Sequence, residues 1–275
     1  MGKHGQIVVG PAGSGKSTYC SNMVKHCEAV KRRVAVVNLD PAAEVFDYEP
    51  VIDIRELISL EDAMESMGLG PNGGLVYCLE YLVENMDWFM EKIDDYADDY
   101  LIFDCPGQIE LYTHLPIMRT VIRNLQRVGY NLCAVYMMDS ILITDASRFM
   151  AGVLMSLSVM AQLEIPHISV LSKCDLVRNK RALDAFLDPS TDALLAALND
   201  ESHEDQRPLN EAMAELIENY SMVSFKPLDV TDEESIGDLL LAIDMCTQYG
   251  EDVEPNDPDE GKPDDAAGPD GIGIE

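Results

Sequence analysis

Gly10-Pro11-Ala12-Gly13-Ser14-Gly15-Lys16-Ser17 decides how the rest of this 275-residue chain is read. The stretch fits G-x-x-x-x-G-K-[ST]. It follows Gln6-Ile7-Val8-Val9, a short apolar run bounded by glycine, and Ser17 to Ala29 then reads as a helix. A buried strand, a glycine loop and a helix in that order are the context this motif requires. The glycines let the backbone turn tightly, so that its N–H groups converge on phosphate oxygens, and the helix start adds its positive dipole end. Gly13, Ser14, Gly15, Lys16, Ser17 and Thr18 are the expected nucleotide-binding residues. Lys16 is expected to reach the β- and γ-phosphates, and the Ser17 hydroxyl to ligate Mg²⁺.

Further along the chain, carboxylates fall where strands end. Arg33 to Asp40 reads as a strand closed by Pro41, so Asp40 sits at a strand's carboxyl end, where open parallel sheets place ligands. It serves either as a Mg²⁺ or water contact or as a turn or helix-capping aspartate. The run before Asp104-Cys105-Pro106-Gly107-Gln108 ends in a second such aspartate. A phosphate-loop enzyme needs this carboxylate to hold Mg²⁺ beside the loop, and the D-x-x-G-Q spacing adds a glycine N–H for the γ-phosphate. Gln108 is either the residue that orients an attacking water or a helix N-terminal residue. Leu132 to Met138 is another buried strand, ending in Asp139-Ser140, and His167 to Leu171 another, running into Ser172-Lys173-Cys174-Asp175. That run resembles the base-reading pattern N/T-K-x-D. Asp175 can accept two hydrogen bonds from a guanine edge, and the Lys173 stem can pack on the ring. Ser172 replaces the usual Asn and can still brace the loop with its hydroxyl.

Between these motifs, Pro50 to Arg55 reads as a loop and Leu60 to Met67 as a short helix. Gly68-Leu69-Gly70-Pro71-Asn72-Gly73-Gly74 reads as an exposed, specifically bent loop. Leu75 to Asp94 is one helix by apolar spacing, with Trp88 expected in the core, and His114 is read as structural. A helix covers 144–163. Residues 178–220 are a charged helical insertion, Met222 to Leu228 the last strand, and Ile236 to Tyr249 the last helix. Asp229 to Glu234 is expected to turn close to the base.

The net charge is −31, of which residues 251–275 carry −9, with ten acids and one lysine. So acidic a body argues against direct nucleic-acid binding, which needs a basic surface. The tail, rich in Pro, Gly, Asp and Glu, is expected to be disordered. The apolar stretch Phe149 to Leu163 falls short of the roughly twenty residues a spanning helix needs, so no membrane partner is expected. No signal peptide is read at the start, and Gln6 rules out a myristoylation signal at Gly2. The seven cysteines show no C-x-x-C pair or zinc spacing and read as reduced core thiols of a cytosolic or nuclear protein.

Strands alternate with helices throughout, which implies an α/β fold: a three-layer P-loop NTPase architecture with a mostly parallel sheet. Residues 1–250 form its single domain, carrying the helical insertion, and 251–275 the acidic tail. Together the motifs point to a nucleoside triphosphatase and, through Lys173-x-Asp175, to GTP.

Gly70-Pro71-Asn72, placed between Asn38-Leu39-Asp40-Pro41-Ala42 and Asp104-Cys105-Pro106-Gly107-Gln108-Ile109-Glu110-Leu111, resembles the GPN-loop GTPases. The likeness runs over roughly residues 5 to 250. Residues 104–114 and the closing Gln248-Tyr249-Gly250-Glu251-Asp252 are most similar to the third eukaryotic paralogue group. The resemblance implies a dimer, either with itself or with a paralogue, the heterodimer being favoured. In it Asn72 of one subunit would reach the other subunit's nucleotide. It also implies Mg²⁺-dependent turnover of GTP to GDP and a role in assembly and nuclear import of RNA polymerase II, with cytoplasmic residence and shuttling to the nucleus. Ser17 and Asp104, with Asp40 through water, would hold Mg²⁺, while Gln108 and the partner's copy of Asn72 would place the attacking water. Two alternatives stay open: an assembly chaperone that holds GTP with little hydrolysis, and a P-loop ATPase or kinase.

Overall fold

The structure is a computed structural model that describes residues 2–141, 145–177, 187, 191–219 and 225–250. Its centre is a seven-stranded sheet in the order β3-β2-β4-β1-β5-β6-β7: β1 (Lys3–Val9), β2 (Val34–Asn38), β3 (Ile52–Asp53), β4 (Tyr100–Asp104), β5 (Tyr130–Asp139), β6 (His167–Ser172) and β7 (Phe225–Pro227). Every pairing is parallel. Strands buried on both faces read as unbroken apolar runs, which is how Ile7-Val8-Val9 and Leu101-Ile102-Phe103 stood out.

Alternation along the strands divides the core into two layers. Ile7, Phe103, Ala134 and Met138 face one, and Val8, Ile102, Cys133 and Val135 face the other. The first layer is covered by α3 (Pro71–Glu84), α4 (Met86–Asp94), α6 (Ile117–Arg127) and α7 (Ala146–Leu163), through buried residues such as Leu79, Phe89, Val121 and Val153. The second is covered by α1 (Lys16–Ala29) and α10 (Glu233–Thr247), through Tyr19, Met23, Leu239 and Ile243. The described residues also form helices α2 (Leu60–Met67), α5 (Glu110–Thr113), α8 (Thr191–Glu201) and α9 (Arg207–Asn219). Among the described helices, α7 alone is long and apolar enough to cross a membrane, yet its Phe149, Met150, Val153, Val159 and Leu163 are buried in the core.

Several expectations need correction. Pro71 to Gly74 form not a loop but the first turn of α3, and the connector is only Gly68-Leu69-Gly70. Gly68, in the left-handed conformation at φ 64°, caps α2, and Pro71 at the first helical position is preorganised for a helix start. Gly74 is also a packing residue, since a Cβ there would lie 2.8 Å from Leu60 and 2.9 Å from Met64 of α2. The single helix expected over 75–94 breaks at Asn85, which both ends α3 and starts α4. Trp88 is half-buried against the core rather than inside it. The loop at 50–55 contains the edge strand β3 and a helical turn; two residues are too short for a periodicity to declare itself. Of the insertion, α8 and α9 are as expected, whereas 178–186, 188–190 and 220 lie outside the described residues, as do 221–224 of the last strand and the tail 251–275. All seven cysteines are free, but Cys246 is exposed and is no core thiol.

Candidate functional site

Strand β1 sits between β4 and β5, where the strand order turns, so the crevice beyond the carboxyl ends of β1, β2, β4, β5 and β6 is where this fold takes ligands. The sequence motifs all fall there. Gly10, Gly13 and Gly15 adopt φ of 145°, 77° and 88°, in the region that side chains disfavour, which is why the loop needs glycine. Lys16 Nζ donates to the carbonyls of Gly10 at 3.1 Å and Pro11 at 3.2 Å. Ser14 Oγ is buried without a hydrogen-bond partner. Ser17 and Thr18 stand exposed at the helix start.

Asp104, at the end of β4, is buried beside the loop. Its Oδ2 accepts from the Tyr48 hydroxyl at 2.6 Å, and the Ser17 hydroxyl is near enough to help stabilise the carboxylate. Its Oδ1 is buried and unpartnered. Desolvation pushes the Asp104 pKa up, opposed by the bonds from Tyr48 and Ser17 and by the Lys16 charge. Asp40 is raised for the same first reason, against the backbone bond from Ala42, Lys16 and Arg55. Lys16 is lowered by burial, partly offset by Asp104 and Asp40. Two carboxylates and an ammonium are thus held desolvated around one point. Such an arrangement favours the arrival of phosphate and of a hard cation that prefers oxygen donors.

The Ser17 hydroxyl, the unpartnered Asp104 oxygen and the Asp40 carboxylate are oxygen donors of the kind that fit Mg²⁺. Among the described residues there is no cluster of three or more His, Cys, Asp or Glu that would hold a metal unaided.

Asp40 is positioned by a network that sequence reading missed. Asn38 Oδ1 accepts from the Asp40 N–H at 3.0 Å and Asn38 Nδ2 donates to Asp53 Oδ1 at 2.9 Å, while Arg55 grips Asp53 and donates to the Ala43 carbonyl at 2.7 Å. Asp40 Oδ1 also accepts from the Ala42 N–H at 2.9 Å, so the turn reading of this residue holds in the structure. Tyr48 likewise had no sequence signal, lying 56 positions from Asp104.

Gly107 presses against the phosphate loop: a Cβ on it would lie 2.8 Å from Ala12 Cα. Gln108 follows, half-buried, with Oε1 unpartnered, and its carbonyl accepts from the Leu111 N–H at 3.2 Å at the start of α5. It is therefore a helix-start residue whose amide is still uncommitted. Asn72 is exposed in the first turn of α3, and among the described residues no hydrogen bond joins it to the loop, Asp104 or Gln108.

The base-reading run is tied to the phosphate loop. Ser172 Oγ donates to the Ser14 carbonyl at 2.7 Å and is within 3.1 Å of the Met138 carbonyl. Lys173, left-handed at φ 60°, donates through Nζ to the Gly13 carbonyl and to Asp139 Oδ2, both at 2.6 Å. Ser172 thus braces the loop, as its hydroxyl allows. Asp139 is a further site residue, signalled only by its place at a strand end. Asp175 is exposed, with no resolved hydrogen bond or ion pair among the described residues. The Cys174 N–H donates to the Leu228 carbonyl at 3.2 Å, bringing the turn after Leu228 beside this run, though it ends at Asp232, which caps α10, and not at Glu234.

Three arginines that could have served as a cationic catalyst are engaged elsewhere: Arg55 with Asp53, Arg119 with Glu164 and Arg148 with Asp145. A cavity of about 770 Å³ lies at the opposite end of the sheet, lined by His4, Arg32, Tyr100 and Tyr249. Chemistry rather than volume marks the nucleotide crevice.

Comparisons with known proteins agree with this geometry. A family model described as a conserved hypothetical ATP-binding protein matches residues 8–249. A Dictyostelium discoideum protein named GPN-loop GTPase 3 is 52% identical over 261 residues, 94% of this chain and 92% of its own length. The protein of that name from Saccharomyces cerevisiae is 47% identical, over 94% of this chain and 98% of its own. The crystal structure of a GTPase from Pyrococcus abyssi in its apo form superposes with a TM-score of 0.76 at 26% identity, over 88% of this chain and 97% of that one.

Proposed function

The chain belongs to the GPN-loop GTPase family, in its third paralogue group, and from that premise we propose that it binds GTP with Mg²⁺ and hydrolyses it to GDP at the crevice above β1 and β4. The observation that carries this reading is the join between phosphate loop and base-reading run, in which Lys173 Nζ lies 2.6 Å from the Gly13 carbonyl with Asp175 exposed beside it. A nucleotide whose phosphates lie on the loop then has its base against Lys173 and Asp175. Guanine offers two donors to the carboxylate and adenine does not.

On binding, Lys16 exchanges two backbone carbonyls for phosphate oxygens, and the loop amides take up charge that develops as the terminal phosphoryl group leaves. Asp104 and Ser17 would hold Mg²⁺, with Asp40 through water, and the bound ion would supply positive charge against the charge that develops in phosphoryl transfer. Gln108 uses its uncommitted amide to hold the attacking water. No covalent residue is needed, because phosphoryl transfer rests on placement and electrostatics.

The chain works as a dimer, with itself or, by preference, with a paralogue, and Asn72 of one subunit completes the other's site. Its exposure at the start of a helix and the engagement of Arg55, Arg119 and Arg148 within their own chain support this. By resemblance the nucleotide-set shape of that dimer serves assembly and nuclear import of RNA polymerase II. The chain would then reside in the cytoplasm and shuttle to the nucleus, without touching nucleic acid or membrane.

The test is competitive binding and turnover of GTP and ATP. Wild type should prefer GTP, Asp175→Ala should lose that preference, and Lys16→Ala should lose affinity for both. Equal use of ATP by the wild type would favour the ATP reading carried by the family description. Tight GTP binding without turnover, in the presence of paralogue partners, would favour the chaperone. Wild-type turnover by Asn72→Ala in a saturated dimer would remove the role in trans.

A further inference from the structure

Lys173 is held at both ends. Its backbone is left-handed at φ 60°, and its carbonyl accepts from the Ser140 hydroxyl at 3.0 Å. Its Nζ donates to the Gly13 carbonyl and to Asp139 Oδ2, both at 2.6 Å. Between these ends the stem passes Gly15, where an added Cβ would lie 3.9 Å from Lys173 Cε. Asp139 is itself fixed. It closes β5 opposite Ser172 of β6, its Oδ1 accepts from the Ile141 N–H at 2.9 Å, and its side chain is 19% exposed. Asp175, two positions after Lys173, is exposed.

We propose that Asp139 is a specificity-determining residue for the base: by holding the Lys173 ammonium on the phosphate-loop side, it keeps Asp175 free to accept hydrogen bonds from guanine. This inference rests on the reading of Lys173 and Asp175 as the guanine contact.

Two carboxylates stand within the range of one flexible ammonium. The bond to Asp139 is the better shielded from water and salt, so it holds the charge more firmly than an exposed Asp175 does. Replacing Asp139 with asparagine keeps the shape and an acceptor oxygen but removes the charge. The Gly13 carbonyl is then the remaining partner of Nζ, and the four-carbon stem is free to turn the ammonium toward Asp175. An Asp175 paired with lysine has its oxygens occupied when the N1–H and 2-amino group of guanine arrive. The contact that separates guanine from hypoxanthine, which lacks the 2-amino group, is then weakened. The phosphate-loop amides are untouched by the change. Asp139 is therefore a positioning residue, acting on the base through Lys173.

The experiment uses the full-length chain, freed of nucleotide, in EDTA. GDP, IDP and ADP compete against a fluorescent N-methylanthraniloyl-GDP. Wild type should bind GDP about tenfold or more tighter than IDP, the difference one hydrogen bond to a charged group makes. Asp139→Asn should bring the two within about threefold, with the larger loss falling on GDP. Asp139→Glu, which keeps the charge, should recover part of the preference. In a Lys173→Met background there is no ammonium to misplace, so adding Asp139→Asn should leave the GDP to IDP ratio of that background unchanged. A merely structural role of Asp139 would not give this non-additivity. Thermal melting checks that each variant folds, and Asp139→Ser, smaller than the native residue, takes the place of Asp139→Asn if that variant does not. A wild type that prefers GDP over ADP, together with an uncharged variant that keeps the wild-type GDP to IDP ratio, would overturn this inference alone. A wild type that binds ADP as well as GDP would overturn the guanine reading beneath it.

Discussion

Replacing Gly107 with alanine tests whether the segment after β4 senses phosphate by direct contact with the phosphate loop. The backbone of Gly107 lies outside the left-handed region, so alanine is not conformationally excluded and any effect must be steric. The new Cβ would meet Ala12 at 2.8 Å from Cα, 3.0 Å from Cβ and 3.1 Å from N, whereas ordinary contact begins at 3.4 Å. One side must therefore move by about 0.6 Å. The phosphate loop is poorly placed to yield, being fixed by the Ser14 N–H on the Pro11 carbonyl, Ser172 on Ser14 and Lys173 on Gly13. Overpacking of this kind costs about 1–3 kcal/mol of stability. If instead the 104–108 segment moves, Gln108 and the Gly107 N–H leave their places, and misplacement on this scale reduces turnover by about 10–100-fold. Urea denaturation without nucleotide and single-turnover GTP hydrolysis separate the two. Gly13→Ala is the control, since its Cβ would meet nothing within 4 Å and its cost is conformational, about 1–2 kcal/mol. Wild-type stability together with wild-type turnover in Gly107→Ala would refute the contact argument.

Three further outcomes follow from the same geometry. Asp104→Asn removes a charge that burial disfavours while keeping an acceptor for Tyr48, so without nucleotide the variant should be at least as stable as wild type, and its GTP turnover should be lost; a large drop in thermal midpoint would contradict this. His167, mostly buried with Nε2 3.0 Å from Ser156 Oγ, has its pKa lowered by desolvation to about 4. Its neutral form is the folded one, so stability is complete above about pH 6.5 and is lost as pH falls toward 4, by about 2–3 kcal/mol, and His167→Phe should flatten that part of the pH–stability curve. Arg32 forms a two-pronged ion pair with Asp244, at 2.9 and 2.6 Å, and lies 3.9 Å above the Tyr249 ring, so Arg32→Ala should cost about 2–4 kcal/mol in chemical denaturation, with no change in GTP affinity across the sheet.

The parts of the fold that sequence displayed are those where one local pattern determines the outcome. A strand buried on both faces must be apolar along its length, and a loop with three left-handed residues must carry glycine, so β1, β4, β5, β6 and the phosphate loop could be read directly. The Gly-Pro-Asn segment was misread as a bent loop because glycine and proline punctuate loops and helix starts alike; here Pro71 opens a helix and Gly74 makes room for Leu60 and Met64. Strand β3 was invisible because its two residues gain their pairing from β2, and the break at Asn85 because apolar spacing continues across it. Within the site, Lys16 opens α1 beyond β1, and Asp104 and Ser172-Lys173 lie at strand ends, where the motif order put them. Tyr48 on Asp104, Arg55 on Asp53 and Asp139 on Lys173 are tertiary contacts, which local periodicity cannot encode.

The most direct measurement is GTP hydrolysis per subunit as the concentration of this chain is raised, with ATP in parallel, alone and with family paralogues added. The account predicts turnover that is selective for GTP, climbs with concentration and saturates once each site is completed by a second subunit, whether a copy or a paralogue. Turnover of ATP equal to that of GTP, or GTP turnover that stays negligible with every paralogue present, would contradict it.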